Sequence, residues 1–279
     1  MRAAKFLITA VAALAAKQVL PYELATHAAI TFNAYNRSKL ALDLQLRRDL
    51  GIDWYLVDPS VPNASFDKAY GTTIPFNLKF YDSNSSTDTE RQANPFEFKI
   101  IKSFDVPPLT LPGWLMRGSV REDDSGDILG NYFGEPRDDP YGNINRWCNH
   151  FFDPTKPAGQ RKANFFCLFD VRDDAANWAT GATDAFGSPN TPNTSRRTHF
   201  TVVDAREAMY RALTGQKTDG TGAGGAGVDA DMTTRKAYWA TTFRALGDVL
   251  HLNQDMAQPQ HARNALASGA STRCKGSLQ

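Results

Sequence analysis

The residues best placed to do chemistry stand late in the chain, in Arg244-Ala-Leu-Gly-Asp-Val-Leu-His-Leu-Asn-Gln-Asp-Met-Ala-Gln-Pro-Gln-His261. On a helix His251 and Asp255 stand one turn apart on the same face, so an imidazole and a carboxylate can grip one metal ion from a rigid rod. Pro259 has no backbone N–H and biases Gln258 away from helical geometry, which predicts a bend that swings His261 back toward the pair. Three candidate ligands then converge within eleven residues. Gly247, one turn before His251, leaves room for a second metal, a water or a neighbouring helix. A bare His-x-x-x-Asp pair is equally at home on a salt-bridged helix surface, so the rest of the chain must supply further ligands.

Three other places offer them. His27 follows Thr26, a residue suited to cap a helix, and as a helix-start imidazole it can ligate or simply pack. Glu122-Asp123-Asp124 ends an apolar turn that begins at Trp114; such an acidic run either ligates a cation or is a solvated loop. His150, in Asn145-Arg-Trp-Cys-Asn-His-Phe-Phe-Asp-Pro154, lies between aromatic residues that would hold it rigidly and shield it from water, whether as a ligand or as a core histidine.

The elements that must position these groups read as helices. One is expected from His27, with Ile30, Ala34 and Tyr35 facing a core. A second runs from Leu40 to Leu50, capped by Ser38 and ended by Gly51. Residues 53–112 are irregular, with an extended piece such as Phe96 to Ile101. Asp204 and Glu207 suggest a capping box for a helix over Ala205 to Leu213. Gln216 to Asp231 reads as a flexible loop, and no GxGxxG or GKS/T context makes it a phosphate cradle. A long helix is expected from Thr233, with Trp239, Phe243, Leu246 and Leu250 as its buried stripe. Strand signals are few and capped helices recur, which predicts an all-α fold, a multi-helix bundle around a polar metal-binding cleft with long irregular loops.

At 279 residues the chain suits one large domain, and its formal net charge of +1 gives no broad field for nucleic acid or an anionic membrane. Arg2 and Lys5 precede an apolar run from Phe6 to Ala16 that reads as an export signal, with a small-x-small cleavage site at Ala13-Leu14-Ala15. Residues 1–16 are therefore expected to be a signal peptide of a periplasmic or secreted protein, and 17–264 a single helical domain. An exported protein could pair Cys148 with Cys167, leaving Cys274 over; spacing does not settle the pairing. The absence of HExxH speaks against a zinc peptidase.

Taken together, His27, the Glu122-Asp123-Asp124 cluster, His150 in Asn-His-Phe-Phe-Asp-Pro, and His251, Asp255 and His261 resemble, in kind and in order, the zinc-dependent phospholipase C and single-strand nuclease superfamily. The resemblance runs from about Tyr22 to Asn264, thin between residues 53 and 112 and dense from 197 to 264. It implies an exported, all-helical protein, monomeric and with no obligatory protein partner, that holds up to three Zn2+ ions. It implies that Asp255 bridges two zincs and that His251, His150 and Asp123, with Glu122 and Asp124 as alternatives, complete the first. His27 would serve the zinc that shares Asp255, and His261 a more separate one. The implied reaction is phosphodiester hydrolysis of a phospholipid or a single-stranded nucleic acid, by zinc-generated hydroxide, with Asp123 also orienting the attacking water.

The sequence departs from the family pattern twice. The family takes a ligand from an N-terminal Trp, whereas the first Trp here is Trp54. It also supplies a His and an acidic residue after the position of His261, whereas Ala262 to Gln279 contains no His, Asp or Glu. Fewer zincs than three, and an aberrant or disordered tail over 265–279 from a truncated or frameshifted end, are the expectations that follow.

Overall fold

The computed structural model describes residues 24–52, 56, 100–101, 103–107, 110–122, 126–127, 130–131, 146–163, 173–182, 198 and 200–262. The fold is all-α, as expected. In chain order the helices are α1 (Leu24–Asn36), α2 (Lys39–Leu42), α3 (Leu44–Asp49), α4 (Leu111–Arg121), α5 (Ala175–Thr180), α6 (Val202–Thr214), α7 (Met232–Met256) and α8 (Pro259–Ala262). A 3-10 turn over Arg146–Asn149 precedes His150, and another covers Gly225–Gly227. Among the described residues, the strands are a two-residue antiparallel pair, Gly126–Asp127 with Gly130–Asn131.

The centre of the bundle is α7. Its first turn is fixed by Asp231, whose side chain accepts from Thr234 N–H at 2.7 Å, which satisfies one of the backbone donors a helix start leaves open. The expected stripe is present: Trp239 and Phe243 are buried and stacked, ring centroids 5.8 Å apart, and Leu246 and Leu250 pack partly buried against the same core. Burying a side chain such as Phe243 contributes roughly 2–3 kcal/mol. Leu111, Trp114, Phe200 and Tyr238 complete this core between α4, α6 and α7. A second apolar cluster joins α1 to α4 through Leu24, Ala28, Met116 and Val120, and a third sets Trp178 of α5 against Leu252 of α7.

The crossing of α4 and α7 is made by two glycines. A Cβ on Gly118 would overlap the Arg244 carbonyl oxygen and the Gly247 Cα, and one on Gly247 would overlap the Leu115 carbonyl oxygen and the Gly118 Cα. The space left by Gly247 is therefore filled by the neighbouring helix. Backbone contact at this point brings the end of α4 beside the second half of α7, which carries the candidate ligands.

Several local expectations are corrected. α1 already includes Leu24, and its inner face is Leu24, His27, Ala28 and Thr31, whereas Ile30 and Ala34 face outward. Burial there follows the polar pair His27 and Thr31, which find hydrogen-bond partners inside. The helix expected over Leu40 to Leu50 is broken at Asp43, which ends α2 and caps α3 by accepting from Leu46 N–H. Gly51 then takes the left-handed φ of +69°. α6 begins at Val202, because Thr201 and Asp204 form the capping box and Glu207 pairs with Arg211 at 2.7 Å. Residues Gln216 to Asp231 are folded by hydrogen bonds, Ala223 N–H and Ala230 N–H both donating to the Gly215 carbonyl and the Tyr238 hydroxyl to the Ala223 carbonyl. Ile100 and Ile101 are helical and buried rather than extended. The expected signal segment 1–16 and the tail 265–279 lie outside the described residues, and no helix among those described is long and apolar enough to cross a membrane.

Candidate metal centre

Four of the five histidines meet at one carboxylate. Asp255, 2 % exposed near the end of α7, faces His27 from α1, His150 from the segment after the first 3-10 turn, His251 from its own helix and His261 from α8. His27 Nε2 and His261 Nδ1 lie 3.5 and 3.4 Å from Asp255 Oδ1. His150 Nδ1 and His251 Nε2 lie 2.9 and 3.1 Å from Oδ2. The carboxylate thus has a pair of imidazoles on each oxygen. All five groups are buried.

Local structure explains each position. The His251 ring sits over α4 because the glycine crossing lets its Nδ1–H donate to the Ser119 carbonyl at 2.6 Å. A carbonyl only accepts, so Nδ1 carries its proton and Nε2 is the nitrogen turned toward Asp255. The His27 ring stacks on His251 with centroids 3.9 Å apart, which sets the two imidazoles side by side. Its Nδ1 lies 2.7 Å from Gln254 Oε1, again an acceptor, which leaves Nε2 turned toward Asp255. His150 is held by a turn in which Asp153 accepts from Thr155 N–H, while Ala175 N–H donates to the Phe151 carbonyl. α7 stops at Met256 and α8 starts at Pro259, and this bend returns His261 to Asp255 as expected. Phe152 N–H donates to the His261 carbonyl, and the Phe151 ring meets the His261 ring edge-on at 4.7 Å, so the two segments lock together.

Electrostatics favour ligation. Burial pushes the Asp255 carboxyl up, but His251 and His150 beside it outweigh burial and hold it well below the usual carboxylate range. Burial lowers His261 to about 4, more than the Asp255 carboxylate restores, so its ring is neutral at neutral pH. Neutral imidazole and ionised carboxylate are the forms that bind zinc. Asp255 Oδ2 and His261 Nδ1 make no hydrogen bond of acceptable geometry, although both lie at ion-pair distance from their neighbours. Ligand atoms about 2.0–2.1 Å from a tetrahedral zinc are about 3.3 Å from one another, close to the separations around Asp255. His27, His251 and Asp255 alone offer three ligand atoms within 4.8 Å of one another. The donor set fits zinc.

Of the acidic cluster, Glu122 is described and is buried at the end of α4. It accepts the Trp178 indole N–H at 2.7 Å, and its Oε1 lies 3.7 Å from His150 Nε2, the nitrogen turned away from Asp255. At that separation the two form an ion-pair contact rather than a hydrogen bond. Asp123 and Asp124 lie outside the described residues. His261 differs from expectation in one respect: rather than standing apart, it shares Asp255 Oδ1 with His27. Cys148 is buried and disulfide-bonded; Cys167 and Cys274 both lie outside the described residues.

Sequence reasoning missed Gln254, Trp178 and the Ser119 carbonyl. Gln254 stands inside the motif, but a glutamine in mid-helix carries no mark of its role. A backbone carbonyl carries none at all. No protein-family model, curated protein or solved structure matches the chain.

Proposed function

We propose that the chain is a zinc-dependent phosphodiester hydrolase of the phospholipase C and single-strand nuclease type, exported and monomeric. The observation that carries the reading is the convergence of four imidazoles from separate segments on both oxygens of one buried carboxylate. A structural ion pair needs one imidazole, and an enzyme holding more than one cation needs this many donors. His150, His251 and Asp255 Oδ2 would hold one zinc, and His27 and His261 with Oδ1 would serve another. When bound, zinc supplies Lewis acidity toward phosphoryl oxygens and makes a nucleophile available from water near neutral pH.

The chain's own groups do the remaining work. Asp255 stays ionised and fixes the separation of the two ligand pairs. Ser119 and Gln254 hold the His251 and His27 protons on the far nitrogens. Glu122, anchored by Trp178, steadies His150. Asp123, next in sequence, is proposed as the further carboxylate that ligates and orients the attacking water. The substrate is a phosphodiester, in a phospholipid or a single-stranded nucleic acid.

A second reading is a zinc-holding protein without turnover. The test is hydrolysis of bis(p-nitrophenyl) phosphate by the purified full chain with its bound zinc quantified. The proposal expects turnover that is lost on chelation and restored by Zn2+. Bound zinc without turnover on this ester, a phospholipid or single-stranded DNA would establish the second reading, and neither zinc nor turnover would overturn both.

A further inference from the structure

We propose that the loop over residues 153–163 is a strand-binding element beside the metal centre, and that Lys156 and Arg161 on it contact phosphates flanking the scissile bond of a single-stranded nucleic acid. The loop leaves the centre directly. Asp153 follows His150 closely in sequence, and the Phe152 N–H donates to the His261 carbonyl at 3.2 Å. Asp153 N–H donates to the Arg161 carbonyl at 2.9 Å, so the two ends of the loop meet. Within it Lys156 N–H donates to the Asp153 carbonyl and Gln160 N–H to the Pro157 carbonyl, while Pro154 and Pro157 restrict the backbone. A closed surface loop tied by its own hydrogen bonds is a common carrier of binding residues.

The loop carries charge of one sign. Residues 154–163 contain Lys156, Arg161 and Lys162 and no Asp or Glu. Asp153, the carboxylate at its base, is buried, and its Oδ1 accepts from the Thr155 N–H and hydroxyl. Lys156 is exposed, and neither it nor Arg161 forms an ion pair among the described residues. The Arg161 Nε–H donates to the Lys156 carbonyl at 3.0 Å, and the guanidinium lies over the Phe152 ring, 5.3 Å from its centroid. The head group is thus held in place with further N–H donors to offer an anion. A fixed guanidinium supplies both a charge for a phosphate and a plane on which a base can stack. A bilayer asks for something else: docking on lipid needs large apolar side chains at the contact. Of the exposed large apolar residues among those described, none lies between 146 and 163 or between 251 and 262. The loop therefore suits a polyanionic strand.

This assignment rests on the hydrolase reading for the site that the loop serves, and it names the substrate of that site as a strand rather than a lipid. The test is fluorescence anisotropy of a labelled phosphorothioate oligothymidylate, which keeps the backbone charge and resists cleavage, titrated with the full chain as purified at several salt concentrations. Each phosphate contact to a single strand adds roughly 0.7 to the salt slope, which is about fivefold in affinity at about 0.1 M salt. The double variant Lys156→Gln/Arg161→Gln is expected to bind about 25-fold more weakly than the wild type there, with a slope smaller by about 1.4. Lys156→Gln alone, at an exposed side chain whose loss leaves the fold intact, is expected to show about half of that change in slope, and Lys156→Arg to restore it. A wild type that does not bind the strand, or a double variant with unchanged affinity and slope, would overturn the proposal. Binding to phosphatidylserine/phosphatidylcholine vesicles that depends on these cations, without binding to the strand, would overturn it in favour of an anionic lipid. Hydrolysis of unmodified oligothymidylate separates the two readings. A strand bound through Lys156 and Arg161 but never cut sinks the hydrolase reading and leaves this one standing, whereas a strand cut with the same KM by wild type and double variant does the reverse.

Discussion

The two oxygens of Asp255 are served by differently built halves. On the Oδ2 side, His251 comes from the 25-residue α7 and is pinned to α4 where two glycines bring the backbones into contact. On the Oδ1 side, His261 sits on the four-residue α8, and His27 is held through the Gln254 side chain. The first half is positioned by packed backbone and the second by side-chain hydrogen bonds and a proline bend. Contact between helix backbones yields little to thermal motion, whereas a four-residue helix rests on its neighbours. The Oδ2 side is therefore expected to be the tighter metal site.

Removing one ligand from each half is the strongest way to break this difference. His251→Ala is expected to lower Zn2+ affinity by more than the roughly 100-fold that losing an outer-shell partner costs, and His261→Ala by less than His251→Ala does. Equal losses in calorimetric titrations would show that the halves are built alike. The next effect is on folding. Gly247→Ala drives a methyl into the α4 backbone, so the helices must separate; about 3 kcal/mol of stability should be lost in urea unfolding, together with the Oδ2-side site. An unchanged midpoint would mean that α4 and α7 do not cross in backbone contact.

Acid sharpens the comparison from the other side. His261 has a folded-state value of about 4, below the ordinary 6.5. Between those values the unfolded chain binds a proton that the folded chain does not, so stability is complete above about pH 6.5 and declines as pH falls toward 4. In the metal-free protein this amounts to roughly 3 kcal/mol, and His261→Ala should flatten that part of the profile. Asp255, held below its ordinary value, adds a loss at still lower pH. Stability that is flat between pH 7 and 4.5 would contradict the burial of a neutral His261. The smallest effect belongs to the far end of α7, where Asp231→Ala removes the cap on Thr234 N–H. About 1 kcal/mol of stability should go, with zinc affinity unchanged.

The part of the cluster that is easiest to read in sequence is the one that repeats a local geometry. His251 and Asp255 lie one turn apart, and Pro259 forces the bend that returns His261, so spacing alone brings three groups together. His27 and His150 were legible as residue types, but their convergence depends on packing across more than one hundred positions. The groups behind the ligands left less trace. Gln254 reads like any polar helix residue, and the Ser119 carbonyl matters only because Gly118 and Gly247 let α4 and α7 touch. The inner face of α1 shows the same limit. Periodicity favoured Ile30 and Ala34, but hydrogen bonds made by His27 and Thr31 turn the other side inward. Pattern reading weighs apolar residues, and a buried polar site inverts that weighting. The cap of α6 stands one turn earlier than expected for a simpler reason: Thr201 and Asp204 have the same spacing as Asp204 and Glu207, and spacing does not distinguish the two pairs.

Asp255 is proposed as the shared carboxylate of the metal centre. Zinc bound per chain, measured by plasma mass spectrometry after dialysis against zinc buffered at a fixed free concentration, tests it directly in the wild type and in Asp255→Asn, a change of nearly the same shape. Zinc is expected in the wild type and is expected to be lost from both sides of Asp255 in the variant. A wild type without zinc, or an Asp255→Asn variant that retains the wild-type stoichiometry, would contradict it.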